Sequence, residues 1–151
     1  MRKNGFNITD ANIRTGLKNT RWPARFEVLC KDPIIIFDGS HNPQGVSAAV
    51  SSIRRYFGTQ KVNILTGVMK DKDYLFIANE ISFVANNVYC ITPNNPRALS
   101  AQEFCDVFKQ KGVSATHFDN ITDAVNIAVT DSKATNTPLI CMGSLYMYSD
   151  I

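Results

Sequence analysis

The chain has 151 residues, of which 44% are hydrophobic and 19% charged, with a formal net charge of +3. That length suits one ordinary α/β domain of ~100 to 150 residues with a short extra segment, and the composition excludes disorder. The slight, scattered positive charge points away from nucleic acid. No run approaches the ~20 apolar residues that span a bilayer, and the start, Met1-Arg2-Lys3-Asn4-Gly5-Phe6, lacks the apolar core of a signal peptide, so the chain reads as cytosolic and off the membrane.

In chain order, Thr9 to Lys18 suits a short helix capped by Thr9 or Asp10 and weakened by Gly16, and residues 1–20 read as a linker or the end of a preceding unit. Phe26 to Cys30 and Pro33 to Phe37 are two apolar runs joined closely enough for an antiparallel hairpin. Asn42 is a helix N-cap with Pro43 at the first helical position. After it Val46, Ala49, Val50, Ile53 and Phe57 follow helical spacing. Val62 to Gly67 predicts a strand, Asp73 to Val84 a helix with Leu75, Ala78 and Ile81 facing inward, and Val88 to Thr92 a further strand. Ser100-Ala101-Gln102-Glu103 offers a capping box for a helix through Lys111 that Gly112 stops. A strand at Ser114 to Phe118, a helix from Ile121 to Asp131 and a strand at Leu139 to Met142 complete the pattern.

This alternation predicts an α/β, Rossmann-like mixed sheet of about six strands, five parallel and one antiparallel, with helices on both faces. In such a sheet every strand-to-helix loop opens on one edge, where ligands bind. Asp38-Gly39-Ser40-His41-Asn42-Pro43 is the most chemically varied of these loops, and Arg25 precedes Asp38 by thirteen positions. A carboxylate suits ribose hydroxyls, and a guanidinium suits phosphate or stacks on a base. The alternatives are a turn-forming Asp38 and an Arg25 in a surface ion pair. His41 can contact phosphate, act as a general base, or simply pack at the helix cap. In Val68-Met69-Lys70-Asp71-Lys72-Asp73 the alternating charges suit either a solvated helix cap or an ionic contact to a neighbouring domain. Arg97, after Asn94-Asn95-Pro96, can fork onto the carboxylate of an amino acid or stand as an exposed loop residue. His117 lies inside a predicted strand and reads as structural. Cys30, Cys90, Cys105 and Cys141 lie too far apart for zinc or redox pairs, and three of them sit in strand-like runs as small hydrophobes. Neither a Gly-x-x-x-x-Gly-Lys-Ser/Thr phosphate loop nor a Gly-x-Gly-x-x-Gly fingerprint is present.

Taken together, Trp22-Pro23-Ala24-Arg25-Phe26-Glu27, Asp38-Gly39-Ser40-His41-Asn42-Pro43, Gly67-Val68-Met69-Lys70-Asp71-Lys72-Asp73 and Gly143-Ser144-Leu145-Tyr146 resemble the C-terminal domain of the folylpolyglutamate synthase family. That family includes bifunctional dihydrofolate synthases and belongs with the Mur ligases. The resemblance implies a Mur-ligase-type C-terminal domain over residues 21–151, closing over ATP held with magnesium by a central catalytic domain of the same protein. It also implies a reaction in which ATP activates a folate carboxylate as an acyl phosphate and the amine of L-glutamate displaces phosphate to form an amide. Arg25 and Asp38 match ATP-contacting positions, and His41 is an adjacent candidate for nucleotide binding or catalysis. Arg97 resembles, more loosely, the amino-acid-binding arginine of some Mur ligases. No metal ligand is assigned to this chain by the resemblance, and the isolated domain is expected to be inactive. Ala24 stands where the family usually has Gly, and Ser40 where Ala is commoner, so a left-handed turn at Ala24 is not expected. The competing readings are another Mur-type amino-acid ligase and a nucleotide- or protein-binding module without chemistry.

Overall fold

The computed structural model describes residues 4–149 and 151. Strand β1 (Glu27–Lys31) turns through Asp32-Pro33 into antiparallel β2 (Ile34–Asp38), and α2 (Pro43–Phe57) then leads to β3 (Val62–Thr66). After α3 (Tyr74–Ser82), β4 (Ala85–Ile91), α4 (Ala101–Gln110), β5 (Ser114–Phe118) and α5 (Ile121–Thr135), the chain returns to β6 (Leu139–Met142). The six strands lie in the order β1-β2-β6-β3-β4-β5, with only the β1–β2 pair antiparallel. This is the mixed sheet that the sequence pattern predicts.

Successive strand residues point to opposite faces, and that period divides the core in two. Ile36, Ile64, Val88 and Ile140 meet the apolar faces of α2, α3 and α4, whereas Phe37, Leu65, Tyr89 and Cys141 meet α5 and Met147. The central strands β3 and β6 are buried along their whole length, and β6 reads as an unbroken apolar run. Burial pushes the Cys141 thiol up to about 12 and raises that of Cys90 as well, which leaves both as inert packing groups.

Helix signals in the sequence translate into bonds. The Asn42 side chain accepts from the Gly45 amide with Pro43 at N1, and Asp73, Ser100 and Asn120 cap α3, α4 and α5 in the same way. Only the serine half of the Ser100–Glu103 capping box forms. One helical face differs from expectation: Leu75 is 57% exposed, and Ile77 joins Ala78 and Ile81 in the core. Because the helix starts at Tyr74 with Asp73 outside it, its inward stripe is set by Ile77 and Ile81, four residues apart, and Leu75 falls off that stripe. The first helix, α1 (Asp10–Asn19), carries a capping box between Thr9 and Asn12 and buries none of its residues.

The chain leaves β2 and β3 toward α2 and α3 on one face of the sheet, but leaves β6, which lies between them, toward a short 3-10 turn (Leu145–Met147) packed on the other face. Divergent loops at adjacent strand ends open a crevice there.

Candidate functional site

Asp38 ends β2 at the mouth of this crevice and is 6% exposed. One of its oxygens accepts from the Phe26 amide at 2.8 Å and the other from the Ser40 amide at 2.9 Å. The carboxylate therefore ties the turn carrying Arg25 to the loop carrying His41, and two of its roughly four acceptor sites remain for a ligand. Both readings of Asp38 drawn from the sequence hold in part: it is a turn-forming carboxylate, and it lines a cleft.

That cleft has a volume of about 280 Å³ and is walled by Arg25, Phe26, Asp38 and the Gly39–Asn42 loop, with α2 contributing Gly45, Ala48, Ala49 and Ser52. Arg25 is exposed and forms no ion pair among the described residues. It rides on a turn with two residues in the left-handed region, Ala24 at φ 59° and Phe26 at φ 46°. This overturns the expectation that Ala24 avoids such angles. Its methyl is buried, and the turn is held from several sides, with the Ala24 carbonyl accepting from the Gly39 amide at 2.8 Å, so surrounding bonds outweigh the local penalty of about 1 to 2 kcal/mol.

His41 stands at the junction of this cleft with a second one. Its Nδ1 lies 2.8 Å from the Gly39 carbonyl. A carbonyl only accepts, so Nδ1 donates in this contact and Nε2 is left to face a ligand. Beyond it, His41, Met69, Lys72, Arg97, Ser144, Leu145 and Tyr146 enclose the second cleft, also about 280 Å³. Loops from the ends of β3 and β4 are fastened here by a short bridge. The Lys70 amide donates to the Arg97 carbonyl at 2.8 Å and the Leu99 amide to the Val68 carbonyl at 2.9 Å.

The bridge sets two cations around one carboxylate. Lys72 Nζ is 3.1 Å and Arg97 Nη1 3.7 Å from the same oxygen of Asp71. The hydrogen bond from Lys72, with a smaller contribution from Arg97, holds the Asp71 carboxyl below its ordinary range. The Arg97 side chain is 61% exposed, and such a surface pair holds it only weakly, so its fork is available to an incoming anion. Asp73 serves instead as the α3 cap, and Lys70 is exposed. His117 lies on edge strand β5 opposite Cys90 and lines neither cleft. Among the described residues no three His, Cys, Asp or Glu side chains gather into a metal site.

Arg25, Asp38 and His41 thus share one cleft, and His41 and Arg97 the next. Sequence reasoning missed the α2 wall, although Ala48, Ala49 and Ser52 follow a helical 3-4-7 spacing from Gly45 and were legible as a face of small residues. Ser144 and Tyr146 were visible only as part of a motif; their place beside Arg97 depends on β6 being central.

An open α/β sheet with a polar crevice at its switch point defines a domain of the ligand-binding α/β class. Residues 24–145 match the family model described as Mur ligase, glutamate ligase domain, and the chain belongs to that family. It is 31% identical over 147 residues to a folylpolyglutamate synthase of Lacticaseibacillus casei, with 95% of this chain and 32% of that protein covered. A bifunctional folylpolyglutamate synthase/dihydrofolate synthase of Yersinia pestis, complexed with AMPPNP and Mn ion, shares its fold at a TM-score of 0.82 and 28% identity, over 96% of this chain and 34% of that one. A further bifunctional synthase structure, with Mn, AMPPNP and L-glutamate bound, aligns at a TM-score of 0.80 and 26% identity, over 96% and 34% of the two chains. The chain spans between about a sixth and just over a third of the length of the curated relatives it matches. No helix among the described residues is long and apolar enough to cross a membrane.

Proposed function

We propose that residues 21–151 form the C-terminal domain of a cytoplasmic ATP-dependent ligase that adds L-glutamate to a folate, with residues 1–20 as the end of a preceding unit; residues 1–3 lie outside the described ones. The observation that carries this reading is the meeting of two polar clefts at His41, one lined by Arg25 and Asp38 and the other by Lys72 and Arg97. An acid–amine ligase needs both substrates within reach of one reacting carboxyl.

ATP supplies the phosphoryl group that turns the folate carboxylate into a mixed anhydride, which the glutamate amine opens to leave an amide and inorganic phosphate. Arg25 offers a charged fork at the rim of the first cleft for phosphate or the base, and the spare lone pairs of Asp38 accept ribose hydroxyls. Lys72 and Arg97 outweigh Asp71 in charge and draw a dicarboxylate amino acid into the second cleft. Arg97 is positioned to hold one of its carboxylates. His41, with Nδ1 fixed on the Gly39 carbonyl, presents Nε2 where it can contact phosphate or take the proton released as the amine attacks. Among the described residues no three His, Cys, Asp or Glu side chains gather, and the divalent ion of the reaction is assigned to the central domain.

The full-length ligase is expected to incorporate labelled glutamate into a tetrahydrofolate or dihydropteroate acceptor only when ATP and a divalent metal are present. The 151-residue chain alone is expected to give no product. Product from the isolated chain, or none from the complete protein with either acceptor, would contradict the assignment.

A further inference from the structure

Arg25 is useful to a nucleotide only if its turn is held, and that hold reaches far along the chain. Glu27 Oε2 accepts from the Ala24 amide at 2.8 Å and, on the same oxygen, from the Tyr148 hydroxyl at 2.9 Å. The ring of Tyr148 packs edge-on against buried Phe37, with centroids 5.0 Å apart at 72°. Tyr148 lines neither cleft and lies beyond the residues matched by the family model. It nonetheless fixes the rotamer of the carboxylate that holds one end of the Arg25 turn, while Asp38 holds the other through the Phe26 amide.

We propose that Tyr148 is a positioning residue for Arg25, acting through Glu27 and the Ala24 amide, so that the last turn of the chain sets how well the first cleft receives the phosphates or base of a nucleotide. The inference rests on the nucleotide reading of that cleft. Two observations support the chain of contacts. Ala24 and Phe26 both have left-handed backbones, so the turn keeps its shape only while outside bonds hold it. The Ala24 amide and the Tyr148 hydroxyl hold the Glu27 carboxyl below its ordinary value, and Glu27 in turn raises that of the Tyr148 hydroxyl, which marks a charge-assisted bond. Leu145, in the same terminal segment, packs against Gly39, where any side chain would collide with it. The segment therefore braces both loops of the cleft.

The test uses Tyr148→Phe, which keeps the ring on Phe37 and removes only the hydroxyl. In the full-length ligase this variant should raise the Michaelis constant for ATP about fivefold, the scale of one lost hydrogen bond, with turnover and the glutamate constant unchanged. Glu27→Gln keeps an acceptor oxygen but loses the charge behind both bonds, so it should raise the ATP constant in the same direction, and an unchanged constant counts against the proposal. In an Arg25→Ala background Tyr148→Phe should add nothing, because the group it positions is gone. An unchanged ATP constant in Tyr148→Phe, or the same fivefold rise without Arg25, overturns the proposal. Amide hydrogen exchange at Ala24 separates it from the nucleotide reading. If Arg25→Ala leaves ATP kinetics untouched, the nucleotide reading fails. Faster Ala24 exchange in Tyr148→Phe then upholds the brace on the turn, and unaltered exchange removes that as well.

Discussion

Replacing Asp38 with Ala is expected to destabilise the chain by about 3 to 6 kcal/mol, because two amides bonded to a buried charge lose their acceptor at once and each such bond contributes roughly 1.5 to 3 kcal/mol. The amides of Phe26 and Ser40 sit on the two loops that wall the first cleft. Both loops loosen together. For a domain of this size the melting temperature should fall by roughly 8 to 15 °C. Asp38→Asn offers one acceptor oxygen and turns its amide group toward the other N–H, so it should lose about half as much. Thermal unfolding of the 151-residue variants checks the order. A melting temperature for Asp38→Ala within a degree or two of wild type would show that the carboxylate holds nothing in place. Because this substitution removes the scaffold bonds as well as the proposed ribose contact, its effect on ATP kinetics combines the two.

Gly143→Ala should be of similar severity, for a different reason. Gly143 has a φ of 117°, a backbone region that side-chain-bearing residues rarely adopt. An added Cβ would lie 2.7 Å from the Gly67 carbonyl oxygen and 2.8 Å from Thr66 Oγ1, a buried hydroxyl with no hydrogen-bond partner among the described residues. The obstacle is backbone. It cannot yield, since Thr66 pairs with Met142 in the β3–β6 ladder just behind it. Strain at the residue alone costs about 1 to 3 kcal/mol, and prising two central strands apart adds to it, for a total on the order of 3 to 5 kcal/mol. Gly58→Ala provides the control: its φ is also positive, at 61°, but nothing lies within 4 Å of the new methyl. Urea unfolding should place the Gly58 variant well above the Gly143 variant, and equal midpoints would mean that backbone angle rather than collision sets the cost.

The contrast between these two glycines shows what the sequence carries and what it does not. Strands, helices and their caps were legible because each depends on near neighbours: Asn42-Pro43 starts α2, Ser100 starts α4, and the 3.6-residue period from Val46 to Ile53 marks the buried face. The crevice was legible only as a set of loops on one edge. That β6 lies between β2 and β3 follows from long-range pairing, and this placement brings Ser144 and Tyr146 beside Arg97. The left-handed Ala24 was not legible for a related reason. Its strain is offset by Glu27, Gly39 and Asp38, and a local propensity argument cannot weigh bonds that arrive from another strand.

Steady-state kinetics of the full-length ligase, with ATP and glutamate varied in turn, tests most directly whether the two clefts divide the substrates. Arg25→Ala should raise the ATP Michaelis constant roughly tenfold to a hundredfold, the range for losing a charge-assisted bond, and leave that for glutamate nearly unchanged. Arg97→Lys, which keeps the charge but loses the fork, should raise the glutamate constant about tenfold and leave that for ATP nearly unchanged. If the two substitutions shift both constants alike, or if Arg97→Ala leaves glutamate kinetics at wild-type values, the clefts do not divide the substrates in this way and the assignment of Arg97 fails.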